Sequence, residues 1–210
     1  MFIEYKKFLL QADERKAVQQ EWMDGSVEVI SATNSFGMGV NKATVRFVVH
    51  WSIPQSMTAL YQESGRAGRD GNLAFARIYY SVQDSKTIKF LLTKELSMAK
   101  SDETKELRQK RIEEFEFVLM YVETAQCRHG LLSKYFNEAQ TVCEEKCDVC
   151  TDRQNVEEKL ANFWMSGNRM IGFTTMALRD GKEHVIGIKE KQDMIDIDDI
   201  IRKQFTPKPL

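Results

Sequence analysis

The chain has 210 residues, of which 42% are hydrophobic and 29% charged, with a formal net charge of −1. That length holds one medium domain or two small ones with an adequate core. The near-zero charge excludes a global basic field, so any contact with nucleic acid must come from a local patch. No run approaches the roughly 18 apolar residues of a transmembrane helix. Met1 is followed by a charged, helix-like stretch rather than the apolar core of a secretory signal, so the chain is expected to be intracellular.

Residues 13 to 24 read as a helix with Ala17, Trp22 and Met23 as its apolar positions and Gly25 as its stop. Val27-Glu28-Val29-Ile30 reads as a short β-branched strand, followed by a Ser/Thr/Asn loop and the pair Gly37 and Gly39. Arg46 to Trp51 is a second strand, mostly apolar as a buried parallel strand should be. Pro54 and Ser56 open a helix carrying Tyr61, Gln62 and Arg66, and Ala74 to Tyr80 is a third strand. Strand, loop, strand, helix, strand is α/β architecture, with ligand loops expected at strand ends. From Val82 the pattern turns helical, over 83–98 and 102–126, with Leu107, Phe115, Leu119 and Val122 at helix-compatible intervals. Another helix is expected near 155–165. Beyond Ser166-Gly167-Asn168 the periodicity is weak, with an acidic run at Asp193, Asp196, Asp198 and Asp199 and a terminus closed by Pro207 and Pro209.

Two constellations carry chemistry. The first is Gln62-Glu63-Ser64-Gly65-Arg66-Ala67-Gly68-Arg69-Asp70-Gly71, expected mostly on a helix with its two arginines three residues apart on one face. A planar guanidinium donates two parallel hydrogen bonds to phosphate oxygens, which suits a γ-phosphate. A lone GRxGR also fits a solvated basic turn. Here it follows Ala32 to Lys42, in which Gly37 and Gly39 allow backbone to approach a ligand closely. The second constellation is Cys127, Cys143, Cys147 and Cys150, spaced C-x15-C-x3-C-x2-C. Four thiolates at such spacing can close a tetrahedral Zn²⁺ site of the structural kind, with Cys127 at the end of a helix. A redox CxxC at Cys147 and Cys150 is the competing reading, although no thioredoxin-like βαβ pattern surrounds it.

Other features are weaker. Gly37 to Thr44 faintly suggests a phosphate loop, but GxxxxGK[ST] is not met. Asp13-Glu14 and Asp102-Glu103 sit in charged helices and do not form a metal-binding acidic box. His129 reads as a packing or hydrogen-bonding residue beside a zinc site already satisfied by cysteines, and His50 as a residue that stabilises the fold or orients a neighbouring motif. Lys86 and Lys89, then Lys105, Arg108, Lys110 and Arg111, form basic stripes that serve either as DNA contacts or as solvated faces paired with Glu, as Glu106 with Lys110.

Ala32-Thr33-Asn34-Ser35-Phe36-Gly37-Met38-Gly39-Val40-Asn41-Lys42, the strand Val45 to Trp51, and QESGRAGRDG together resemble motifs V and VI of the RecQ family of DNA helicases. The resemblance runs from about Gln11 to Thr151. It includes the cysteine spacing, the Cys-Arg-His start and the Lys134-Tyr135-Phe136 that follows, and it is nearest to the fifth RecQ subfamily of animals, which lacks a winged-helix domain. The resemblance implies a partial RecA-like second helicase lobe with a parallel sheet at 1–82, a helical zinc-binding subdomain at 83–151, and a C-terminal helix and tail at 152–210. It implies Arg69 as an arginine finger, Arg66 as a second phosphate or interdomain contact, Gln62 as a polar link, and Gly37, Gly39 and Asn41 as nucleotide-linked residues of motif V. The family usually carries Asp where this chain has Asn41, which removes a charge beside the arginines.

Structural zinc is implied at the four cysteines, with ATP and Mg²⁺ only when a first lobe is supplied by a parent chain. DNA, single-stranded or forked, is the implied partner, acting in the nucleus in repair or recombination. Because no Walker A segment is found, the alternative is a zinc-stabilised module that binds DNA or a partner without hydrolysing ATP. No membrane association is expected.

Overall fold

The computed structural model describes residues 11–33, 41–139, 143–166 and 171–177. Residues 1–40 with 181–210 form one unit and residues 41–180 another. In the first unit, helix α1 (Ala12–Asp24) opens with the Gln11 amide donating to the Glu14 carboxylate at 2.7 Å and stops at Gly25, whose φ of +90° is the left-handed turn that glycine adopts without strain. None of its residues is buried. The strand expected at Val27–Ile30 is not formed. The Val27 amide instead bonds back to the Glu21 carbonyl at 3.0 Å, and four residues just past a helix stop cannot make a strand without a neighbouring one.

The second unit is built on a three-stranded sheet of order β1-β2-β3, comprising β1 (Phe47–His50), β2 (Ala74–Tyr80) and β3 (Ile171–Ala177). β1 and β2 pair in parallel, with Phe47 opposite Phe75. β3 pairs antiparallel to β2, with Ile78 opposite Phe173. The sheet is therefore mixed rather than parallel as expected, because a segment beyond the zinc-ligand region returns to the outer edge of β2. Antiparallel pairing needs no crossover connection. β1 is half-buried apart from His50, not the fully buried strand its apolar run suggested.

Alternate residues of β2, Ala74, Ala76, Ile78 and Tyr80, are buried on one face. That face shares a core with α2 (Met57–Ser64), α4 (Asp102–Glu123), α5 (Arg128–Tyr135) and α7 (Arg153–Ser166) through Met57, Leu60, Phe115, Val118, Leu131 and Phe163. α3 (Val82–Ser97) packs against α4 as an antiparallel pair. Serine caps start three of these helices: Ser56 accepts from the Ala59 amide, Ser81 from Asp84 and Ser101 from Thr104. Tyr80, at the end of β2, donates to the Glu123 carboxylate at the end of α4, and burial together with that carboxylate pushes the phenol upward. Among the described residues no helix is long and apolar enough to cross a membrane.

Candidate zinc centre and arginine loop

Helix α2 ends at Ser64, and the turn that follows uses Gly68 at a φ of +67°. Arg66 and Arg69 consequently lie in this turn and not on one helical face as expected. The helix tightens into i→i+3 turns at Arg66 and Ala67, whose amides bond to the Glu63 and Ser64 carbonyls. The turn is fastened at several points. The Gly68 amide donates to the Val45 carbonyl at 2.9 Å. Arg46 donates through Nη2 to Asp70 Oδ1 at 2.6 Å and through Nη1 to the Leu73 carbonyl at 2.9 Å. His50 Nε2 lies 2.8 Å from Glu63 Oε2 of α2, with the His50 side chain buried.

Arg69 reaches back to motif V, where its Nη1 donates to Asn41 Oδ1 at 2.9 Å. Asn41 accepts this bond with a neutral amide oxygen. Arg66 is half-buried in the turn and Gln62 is exposed on α2, while Gly37 and Gly39 lie outside the described residues.

The Arg46 guanidinium beside Asp70, helped by Asn72, holds the Asp70 carboxyl down to about 2. A depressed folded value means that the bridge contributes fully above the ordinary pKa of 3.8 and is lost as pH falls toward about 2. We expect the Asp70 carboxyl carbon to titrate near pH 2 by NMR, and near its ordinary value in Arg46→Ala. An unshifted titration in the unsubstituted chain would remove Arg46 as the brace of this turn.

The four cysteines converge, with their sulfurs all within 4.8 Å of one another. A tetrahedral Zn²⁺ with Zn–S bonds of about 2.3 Å places sulfurs about 3.8 Å apart, so a contraction of about 1 Å at most closes the site. Two of the thiols already serve as helix caps. Cys127 is the N-cap of α5, accepting from the Gly130 amide at 3.3 Å, and Cys147 is the N-cap of the one-turn helix α6 (Asp148–Thr151), accepting from the Cys150 amide at 3.4 Å. Cys127 therefore begins a helix, whereas the sequence suggested that it ended one. α4 stops at Glu123, and residues 124–127 form a break that turns the thiol inward. His129 Nδ1 lies 3.1 Å from Cys143 Sγ, a second hydrogen-bonding group on the cluster.

Burial opposes the Cys147 thiolate, yet hydrogen bonds from His129 and from the Arg128 and Cys150 amides bring it down to about 6. Burial pushes Cys143 upward and Cys150 up to about 12. One thiolate is thus available first and the others must shed protons to ligate, which makes metal loading weaken as pH falls. Cys143, Cys147 and Val149 belong to the same apolar core as β2 and α4, so the centre is continuous with the lobe.

Sequence reasoning missed the residue that locks this region. Arg128 is completely buried, and its Nε and Nη2 meet Asp148 Oδ1 and Oδ2 at 3.0 and 3.4 Å. Its Nη1 donates to the carbonyls of Tyr121 and Thr124. The guanidinium lies 4.8 Å from the ring centre of Phe173 on β3 and 5.4 Å from that of Tyr121. The pattern Cys-Arg beside Cys-Asp was its one signal. The basic stripe on α4, by contrast, is largely neutralised. Lys105 pairs with Asp102 at 3.0 Å, Lys110 with Glu106 at 3.1 Å and Arg111 with Glu95, and Arg108 donates to the Glu95 carbonyl.

The turn carrying Arg66 and Arg69 follows α2, and α2 shares its core with the four-cysteine centre through Met57, Leu60, Cys143 and Cys147. Residues 4–71 match the helicase conserved C-terminal domain and residues 82–151 match RecQ zinc-binding. The chain is 45% identical over 152 residues to ATP-dependent DNA helicase Q5 of Rattus norvegicus, covering 72% of this chain and 16% of that protein. It is 36% identical over 150 residues to ATP-dependent helicase SGS1 of Saccharomyces cerevisiae, covering 70% of this chain and 10% of that one. ATP-dependent DNA helicase RecQ of Pasteurella multocida is 40% identical over 144 residues, covering 68% of this chain and 22% of the relative. The chain belongs to the RecQ family of DNA helicases and spans less than a quarter of the length of these relatives.

Proposed function

We propose that this chain supplies the second motor lobe and zinc-binding subdomain of an ATP-dependent 3′-to-5′ DNA helicase that acts in the nucleus in repair or recombination. Residues 1–82 serve as the lobe and 83–151 as the zinc subdomain, and 152–210 continue beyond them. Arg69 is the arginine finger, which neutralises charge on the γ-phosphate in the transition state. Arg66 is a second phosphate or interdomain contact, and Gln62 links the two. Gly37, Gly39 and Asn41 carry the motif V contribution. The observation that carries the reading is the 2.9 Å hydrogen bond from Arg69 to Asn41, which joins motif VI to motif V.

With nucleotide in the cleft, Arg69 exchanges a neutral acceptor for phosphate oxygens, and closure and reopening of the lobes then move DNA-binding loops. ATP and Mg²⁺ are held chiefly by a first lobe with a Walker A loop, a pattern the 210 residues do not contain. Zn²⁺ at Cys127, Cys143, Cys147 and Cys150 would be structural, holding α5 and α6 in place. The direct test joins this chain to a RecQ first lobe bearing a Walker A loop. DNA-stimulated ATP hydrolysis should appear in the joined protein and not in either part. A joined, zinc-loaded and folded protein that binds ATP yet turns over no faster than its first lobe alone would overturn the reading.

A further inference from the structure

Tyr61, in the first matched segment, meets Phe136, in the second, with ring centres 5.1 Å apart and planes inclined at 58°. Phe136 caps the C-terminal end of α5, its amide donating to the Leu132 and Lys134 carbonyls. It also meets Tyr135 edge-on at 5.0 Å, and Tyr135 meets Phe117 of α4 at 5.2 Å. The opposite end of α5 is Cys127, one of the four thiols. The helix is eight residues, about 12 Å of rigid rod. Leu131 in its middle is only 3% exposed, so the rod cannot slide without moving the core.

Tyr61 in turn sits where the arginine turn is hung. Its carbonyl accepts the Gly65 amide at 2.9 Å, and the Arg66 and Ala67 amides donate to the carbonyls of Glu63 and Ser64, two and three residues further along the helix, at 3.2 and 3.1 Å. The ring itself is 59% exposed, so it contributes little to the core and much of its fixed position comes from Phe136.

We propose that α5 couples the four-cysteine centre to motif VI, with Tyr61 as the positioning residue that receives the link. Cys127, with zinc bound, would fix the start of α5, Phe136 at its end holds Tyr61, and Tyr61 sets the backbone from which Arg66 and Arg69 are presented. The significance for catalysis rests on the nucleotide role given to these arginines above, but the coupling itself is physical and is measured without nucleotide. Coupling between two sites is reciprocal, so a link that lets zinc order the turn must also let the turn help retain zinc.

The test uses the zinc-loaded 210-residue chain and its Tyr61→Ala and Tyr61→Phe variants. Two quantities are read: the rate of zinc transfer to a metallochromic chelator, and hydrogen exchange at the amides of residues 65–68. In Tyr61→Ala both should rise together, about two- to tenfold, the scale of one lost aromatic pair. Tyr61→Phe keeps the ring and should behave as the unsubstituted chain. Exchange at β2 amides reports the general fold and should not change.

Faster exchange at 65–68 with zinc held as before would show that Tyr61 supports only its own helix, and the proposal would fail. Faster zinc loss with an unmoved turn would show that the link stops short of motif VI, and it would fail equally. A parallel rise at β2 would reduce the effect to general destabilisation and would overturn the coupling as well. None of these outcomes depends on whether the joined two-lobe protein hydrolyses ATP, so the two readings stand or fall separately.

Discussion

Asp148→Ala should destabilise the zinc-loaded chain by about 3–5 kcal/mol in urea unfolding, the cost of leaving one member of a buried ion pair uncompensated. The Arg128 side chain is fully buried and that of Asp148 nearly so, at 11% exposure. With the carboxylate gone, two guanidinium donors lose their acceptor at a place sealed by Tyr121 and Phe173. Nη1 remains bonded to two carbonyls, so the charge cannot swing out to water without breaking those bonds as well. A chain in which both partners are replaced together, Arg128→Met with Asp148→Leu, should recover much of the loss, because no charge is then left buried. A cost below about 1 kcal/mol for Asp148→Ala alone would mean that the pair is solvated, in the range of surface bridges.

The largest functional effect is expected at Arg69. In a two-lobe protein carrying this chain, Arg69→Ala should lower ATP turnover by about 10³-fold or more, the usual contribution of an arginine finger, the role proposed for it, and zinc content should not change. The two outcomes separate because Arg69 bonds to Asn41, whereas the cysteines are held by α5, α6 and the shared core. Turnover within tenfold of the parent would transfer the role to Arg66 or to the first lobe. Release of zinc on this substitution would show instead that the Arg69 side chain itself, and not only Tyr61, supports the metal site.

The parts legible in the sequence are those fixed by local chemistry. Cysteine spacing, the Gly-Arg pattern, the helix start at Ser56 and the strand Ala74 to Tyr80 depend on neighbours a few residues away. What escapes is non-local. Val27–Ile30 has the residues of a strand, but a strand needs a partner, and its first amide is taken by Glu21. Ile171–Ala177 does not stand out as a strand because Gly172 and two threonines blur its alternation, and its place is decided by the edge of β2. Gly172 faces Arg77 so closely that an added Cβ would lie 3.0 Å from the guanidinium, a constraint invisible along the chain. Arg128 is, in the sequence, only a letter between Cys and His. Its burial follows from Asp148, 20 residues away, and from a strand further on.

The strand β3 also has a consequence for where this chain tolerates being cut. By occupying the outer side of β2 it leaves no template there for another molecule to extend. A protease nick or an alternative end just after Thr151, where the zinc-binding match finishes, would strip away both β3 and α7. It would bare the Tyr80 ring that Phe163 faces at 5.5 Å, and an open row of backbone amides and carbonyls along β2. Such a fragment would still hold all four cysteines, with a strand edge open as a template for another chain. We expect such a fragment to lose solubility before it loses metal, read by light scattering beside zinc content.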